Sequence, residues 1–399
     1  MTPPSRQPIQ KPKFAMLAML AGLSVLSLNM FLPALPAIAV DLEADYAVVN
    51  LAIAGYLGVT ALMQLIMGPL SDYFGRRPVL LVALAIFALA SLGCLLATDI
   101  VTFLVCRMAQ CAISAGWAIS MAMIRDTETE GRAASLMGYV SMTMAVAPML
   151  GPVIGGGLAD AFGWRACFTL YTALGGGLFL WCWAAAPETN QNRSATFREQ
   201  ARTYPILLRS SAFWAFSLCM TFAIGSFYAF LAGAPLVAQA LFGMSPGTLG
   251  VWLGSITAGF MAGTFMSGRF AASTPRATMI LSGRVIGCVG LSAGLLVVLT
   301  GYIAPLTLFG ACIFVGIGNG LTTPSASAGA MSVRPDLAGG ASGLLGALVV
   351  AGGALITTIT GTLLTAFPSA VALLLIMLSC AAISLIAALA IKANDNKAK

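Results

Sequence analysis

Two arginines, Arg107 and Arg284, fall inside stretches of sequence otherwise apolar enough to lie in hydrocarbon. A charge at the centre of a bilayer costs at least about 2.5–3.5 kcal/mol on insertion scales, so such a residue usually faces a cavity and works there. Arg107 heads the run Arg107-Met-Ala-Gln110-Cys-Ala-Ile-Ser-Ala-Gly116. It stands about seven residues inside its span, roughly 10 Å by helical rise. Its guanidinium is a planar fork of donors that suits an anionic or strongly polar acceptor. Gln110, one turn on, and Asn29, near the middle of the first apolar stretch, are the polar residues that would share a cavity with it. The bland readings stay beside these. Arg107 could snorkel to the interface, and Asn29 could be a packing contact between helices. Arg284, some eight residues into its own stretch, is expected to snorkel.

Other chemistries are poorly provided for. Histidine is absent, and the nine cysteines form no C-x-x-C pair, so no metal site, disulfide framework or cofactor is expected. A membrane-embedded enzyme would need clustered His, Asp or Glu, and there is no phosphate-binding loop for an ATP-driven pump. The net charge of +7 is scattered over short loops, which argues against nucleic acid.

The elements that must hold these residues are membrane-spanning helices. The chain has 399 residues, 59% hydrophobic and 8% charged, where a soluble domain carries about 25% charged residues. Its apolar stretches are rich in Leu, Ala, Gly and Met, lack period-2 alternation and are long enough to cross about 30 Å of hydrocarbon. Twelve are expected: 14–40, 48–70, 79–97, 100–123, 133–158, 164–186, 212–239, 247–268, 277–299, 303–325, 339–362 and 367–391. The long polar connector 187–211 divides them into an N-terminal bundle, 14–186, and a C-terminal bundle, 212–391, with tails 1–13 and 392–399. This is an all-α polytopic architecture, two six-helix halves around a central cavity. One set of loops holds seventeen Lys and Arg residues and the other set only Arg165, so the positive-inside rule places both termini and the connector in the cytoplasm.

Three runs carry more specific information. Between the second and third stretches lies Gly68-Pro-Leu-Ser-Asp72-Tyr-Phe-Gly75-Arg76-Arg77-Pro78, where Gly75 permits a tight turn and Asp72 can bind the arginines. The fifth stretch contains Pro148-Met-Leu-Gly151-Pro152-Val-Ile-Gly155-Gly156, a kinked helix with a small-residue face for a close neighbour. Further stretches are Asn29-Met-Phe-Leu-Pro33, Ile124-Arg125-Asp126, Gly163-Trp164-Arg165-Ala-Cys-Phe168, Phe227–Pro235 and Gly243-Met-Ser-Pro246.

The first run resembles, nearly position for position, the signature loop of the major facilitator superfamily. The Arg107 run is similar to that superfamily's R-x-x-Q-G motif, with Cys111 in place of Gly, and the proline–glycine run to its antiporter signature. Over residues 25–390 the chain resembles the bicyclomycin and chloramphenicol-resistance efflux family of drug:proton antiporters. The resemblance implies the major facilitator fold and alternating access. It implies a gating latch of Asp72, Gly75 and Arg76 with Arg125, and a role for Arg107 in proton coupling. Asn29 stands where the family normally has Asp, so the usual proton carrier is missing.

The expectation is therefore a secondary-active exporter of small organic compounds, with protons as the coupling ion, acting as a monomer in the bacterial inner membrane. The alternative is an importer or facilitator of a small polar or anionic metabolite in the same fold. The aromatic candidates for substrate contact are Phe31, Tyr56, Trp117, Phe227, Tyr228 and Trp252. Orientation can be tested directly. In a background lacking the native cysteines, Ala44→Cys should react with an impermeant thiol reagent on intact cells and Gln200→Cys should not; the reverse pattern inverts the topology.

Overall fold

The computed structural model describes residues 11–190, 204–270, 273–334 and 337–397. Twelve helical spans cross the molecule: α1 (Phe14–Asp41), α2 (Tyr46–Phe74), α3 (Arg76–Leu96), α4 (Ile100–Thr127), α5 (Gly131–Phe162), α6 (Arg165–Ala185), α7 (Ser211–Phe242), α8 (Pro246–Phe270), α9 (Arg276–Leu299), α10 (Pro305–Ser332), α11 (Gly339–Ala366) and α12 (Ala370–Ala393). All were anticipated from the sequence, but several run further than their apolar cores. The tenth, expected over 303–325, continues to Ser332, because residues 326–332, Ala-Ser-Ala-Gly-Ala-Met-Ser, hold neither a charge nor a proline to stop it. Residues 1–10 of the expected tail, 191–203 of the expected connector and 398–399 lie outside the described residues. With twelve spans among the described residues, the first and last of them end on one side, called here the terminal face, and this is a multi-pass membrane protein.

Among the described residues three spans are interrupted: α2 at Asn50, between Tyr46–Val49 and Leu51–Phe74, and α1 and α4 at polar residues of interest. In α1 the α-helix stops at Asn29, and a short 3-10 turn over Leu32–Ala34 leads into a second helix, Leu35–Asp41. Pro33 and Pro36 explain the break, since neither has an N–H to give to the carbonyl four residues back. In α4 a 3-10 turn over Gln110–Ile113 separates Ile100–Ala109 from Ser114–Thr127.

Each half is knit by close helix crossings. The most extensive is α8 on α10, where Gly259 and Gly263 of one helix meet Gly316 and Gly320 of the other. A Cβ at Gly259 or Gly263 would strike the Ile313 or Ile317 carbonyl oxygen, and one at Gly316 or Gly320 those of Ile256 or Phe260. These are paired small-x-x-x-small faces, which let helices associate by backbone contact where lipid supplies no hydrophobic drive.

The halves meet along α5–α8 and α2–α11. On the face opposite the termini the seam is closed by hydrogen bonds. The Tyr46 hydroxyl donates to the Ala232 carbonyl (2.8 Å), and Asn50 Nδ2 to the Thr357 carbonyl (2.8 Å). Asp160, near the end of α5, accepts from the Ser245 hydroxyl and the Gly247 amide, both at 2.9 Å, at the start of α8. A carboxylate there meets orphan amides and the positive end of a helix dipole. Gly156 and Gly250 bring the two backbones together, with Gly156 against the Pro246 carbonyl and Gly250 against that of Pro152.

Asp160→Ala removes both bonds, each a charge-assisted contact of about 1.5–3 kcal/mol. Spin labels on Ala161→Cys and Tyr302→Cys, which lie on this face in different halves, should report a longer distance population in the Asp160→Ala background. An unchanged distribution would show that Asp160 does not hold the seam.

Candidate functional site

Arg107 sits wholly inside the N-terminal half, with no solvent exposure. Neither the cavity position nor the snorkelling position expected of it is what this conformation shows. Its Nη2 donates to the Ser27 carbonyl (2.7 Å) and its Nη1 to Gln110 Oε1 (2.6 Å), with a longer contact to the Ser27 hydroxyl (3.4 Å). The Ser27 carbonyl is available because the first helix of α1 ends two residues later, leaving its last carbonyls without intrahelical donors. Phe31 and Tyr56 hold the guanidinium between them, each ring centroid 4.3 Å from its central carbon. The helix terminus and the two ring faces thus replace a counter-ion.

The break in α4 serves the same centre. The 3-10 turn that begins at Gln110 aims its amide inward, where Nε2 donates to the Ser91 hydroxyl (2.7 Å) and Ser91 in turn to the Phe87 carbonyl (2.7 Å). Tyr56 donates to the Ser27 hydroxyl at 3.2 Å, and Tyr171 to the Leu26 carbonyl at 2.8 Å. One network thereby ties α1, α2, α3, α4 and α6. The Nε of Arg107 is its one group left without a partner.

Asn29 does not join Arg107. Its Nδ2 donates back to the Val25 carbonyl (2.8 Å), and its side chain faces α5 at Gly151. Two residues on from Ser27 is about 200° around a helix, which carries Asn29 away from the arginine. Its Oδ1 is buried without a donor. Gly155, one turn beyond Gly151, faces the Met30 carbonyl. The proline–glycine run of α5 therefore seats the broken part of α1 on one side and α8 on the other.

On the terminal face, Arg76 forms ion pairs with Asp72 and Asp126, the latter at 3.3 Å. Here the expected latch needs correction. Arg125 is exposed and forms no ion pair with Asp72; Asp126, turned about 100° further around α4, takes the place beside Arg76. Gly75 has φ +102°, and Glu188 closes over it. The Glu188 carboxylate accepts from the amides of Arg76 (3.0 Å) and Arg77 (3.1 Å), capping α3 from the start of the connector. Thr189 donates to Asp126 at 3.0 Å. Sequence reasoning missed Glu188 because nothing local marks a cap that arrives from over a hundred residues away.

Between the halves lies a cavity of about 330 Å³. Its apolar wall includes Met144 and Pro148 of α5, Phe227 of α7 and Phe260 of α8. Its polar residues are Ser141, Thr257, Asn319 and Thr323. Of the residues proposed from sequence, Pro148 and Phe227 line it. Phe31 and Tyr56 serve Arg107 instead, Tyr228 packs against Gly353, Trp252 stacks on Phe309 and Trp117 is 39% exposed elsewhere. Arg284 is a second correction. It does not snorkel but is buried, donating from Nη2 to Asn319 Oδ1 and from Nε to the Thr322 hydroxyl, both at 2.9 Å. A polar residue among glycines, Gly318-Asn319-Gly320, was the available signal for this part of the site.

Arg107→Lys keeps the charge but cannot reach Ser27 and Gln110 with a planar fork. Losing one charge-assisted bond of about 1.5–3 kcal/mol should lower the thermal unfolding midpoint of the purified protein by several degrees and abolish most transport. A variant with the wild-type midpoint and turnover would show that the network is dispensable.

Comparison with known proteins agrees with this architecture. Residues 17–357 match the family model of the Major Facilitator Superfamily. The chain is 29% identical over 354 residues to Multidrug resistance protein D of Escherichia coli, covering 87% of this chain and 88% of that protein. It is 29% identical over 331 residues to the Chloramphenicol resistance protein of Pseudomonas aeruginosa, covering 79% and 76%. Its fold matches the crystal structure of a bacterial homolog of the human lysosomal transporter Spinster, in an inward-facing and occupied conformation, with a TM-score of 0.77, 18% identity and 94% of each chain covered. Twelve spans in this arrangement, joined by the Asp72–Arg76 loop and matched over most of their length by that family model, make this chain a transporter of the Major Facilitator Superfamily.

Proposed function

We propose that this transporter exports small organic compounds from the bacterial cytoplasm across the inner membrane by alternating access. One observation carries the reading. A largely apolar cavity lies between the halves, walled by α5 on one side and by α7, α8 and α10 on the other, while hydrogen bonds close the seam on the opposite face. A cavity of this kind suits an amphipathic compound with a few polar groups. The likeness to drug-resistance proteins supports export. The loop charges support cytoplasmic termini, in which case the closed face is the outer one.

The partners in this reading are the bilayer, the exported compound and protons, and the working unit is a monomer. Proton coupling rests on kinship to drug:proton antiporters. Of the carboxylates on the terminal face, Asp72 and Asp126 share Arg76, while Glu128 pairs with Lys11 and Arg132 and Glu188 caps α3. Uptake of a small polar or anionic metabolite is the competing reading, and direction of transport separates the two.

Cells lacking their own exporters should become resistant to a subset of a drug panel when they produce this protein. Everted vesicles from them should accumulate the same compounds, with accumulation lost when the pH gradient is collapsed. Resistance without dependence on the gradient would remove proton coupling; drug-independent growth effects with uptake of a metabolite would reverse the direction. Within this framework Phe227→Ala strips one aromatic wall from the cavity. A loss of about 1.5 kcal/mol of apolar burial predicts a roughly tenfold rise in the concentration giving half-maximal transport.

A further inference from the structure

The cavity's polarity is organised from behind its wall. Arg284 lies on α9, and its two acceptors, Asn319 and Thr322, lie on α10. They meet because α9 and α10 cross with Gly283 against Gly318; a Cβ on either would strike the other's carbonyl oxygen. Arg284 is 3% exposed and Asn319 4%. Arginine can only donate, so Asn319 Oδ1 is committed to it and the amide cannot flip. What Asn319 has left is its Nδ2, which has no acceptor among the described residues, on a side chain that lines the cavity. The wall therefore presents a fixed hydrogen-bond donor.

The charge distribution points the same way. Among the described residues, the carboxylates in the spans are Asp41, Asp72, Asp126 and Asp160, each within two residues of a span's end. Arg284 forms no ion pair with any of them. The cavity thus has a permanent cation one side chain behind its wall and no anion beside it. Apolar walls focus that field instead of screening it.

We infer that Asn319, held by Arg284, donates a hydrogen bond to an acceptor on the transported compound, and that the cavity takes neutral or anionic aromatic compounds bearing such an acceptor and rejects organic cations. Arg284 is a positioning residue: it fixes the amide and sets the sign of the field. This inference rests on the reading of the cavity as the substrate site and adds the chemical class.

The test uses the full-length protein in nanodiscs and two radiolabelled probes: chloramphenicol, neutral and rich in acceptors, and tetraphenylphosphonium, an aromatic cation. The wild type should bind chloramphenicol at least tenfold more tightly than the cation. Asn319→Asp keeps size, gives Arg284 a carboxylate and removes the donor. It should lose at least tenfold in chloramphenicol affinity while its affinity for the cation rises. Asn319→Leu should show the same loss for chloramphenicol with no gain for the cation, and Arg284→Lys should keep the wild-type preference. Unchanged chloramphenicol binding in Asn319→Asp overturns the proposal. A wild type that prefers the cation leaves the cavity as a drug site but overturns the class assigned to it. Binding of neither probe, with no resistance to any drug in the panel, removes the site along with the inference.

Discussion

A cation that cannot lose its charge must be kept in a place without water, and the N-terminal half is arranged around that problem. An arginine stays protonated under all ordinary conditions, so neutralisation is not available to Arg107. Removing it from water unassisted would cost many kcal/mol. The solution uses no carboxylate. The prolines of α1 stop a helix at Asn29 and free the Ser27 carbonyl, the 3-10 turn of α4 aims Gln110, and two aromatic faces close above and below. Local irregularity in two helices is the condition for the charge. In hydrocarbon such breaks are tolerated only where something inside the protein takes up the freed backbone groups, so charge and breaks each make the other possible.

The same logic separates rigid from movable parts. All of the Arg107 partners belong to the N-terminal half, and the α8–α10 glycine faces lie within the C-terminal half. Each half is locked by interactions that change little if it moves as a body. Between the halves, contact depends on small residues of α5 and α8 and on hydrogen bonds such as that of Asp160 to the start of α8. Two states related by opening such a seam need differ by only a few kcal/mol, which a ligand's differential affinity can supply.

The number of helices, their order and the two-part layout were legible because each rests on apolar length, and so was the Asp72–Arg76 contact, which is local. The arginine's surroundings were not. Arg107 was readable as a charge needing compensation, but compensation by a carbonyl eighty residues away depends on where α1 breaks and which way Gln110 turns. Arg125 and Asp126 differ by one position, and only the rotation of α4 decides which meets Arg76. Arg284 shows the limit most clearly. By distance from the membrane edge it reads as a snorkelling residue, yet the glycines at the α9–α10 crossing leave it room to bond inward. Phe31 and Tyr56 were marked as aromatic ligands for a compound, and their ligand is the guanidinium itself.

The two buried arginines differ in what they leave over. Arg107 is almost fully satisfied within one bundle, and its only unpartnered group is a buried Nε. Arg284 passes its orientation through Asn319 to a surface that both halves share. Because α5 belongs to one half and α7, α8 and α10 to the other, any rocking of the halves moves Met144 and Pro148 relative to Phe227, Phe260 and Asn319. A compound held by both walls would gain contacts in one such state that it lacked in the other. Differential affinity of that kind is what turns a conformational equilibrium into transport. The charge that stabilises the bundle and the charge that orients the cavity wall therefore sit in different halves, and only the second lies one side chain behind a surface that both halves share.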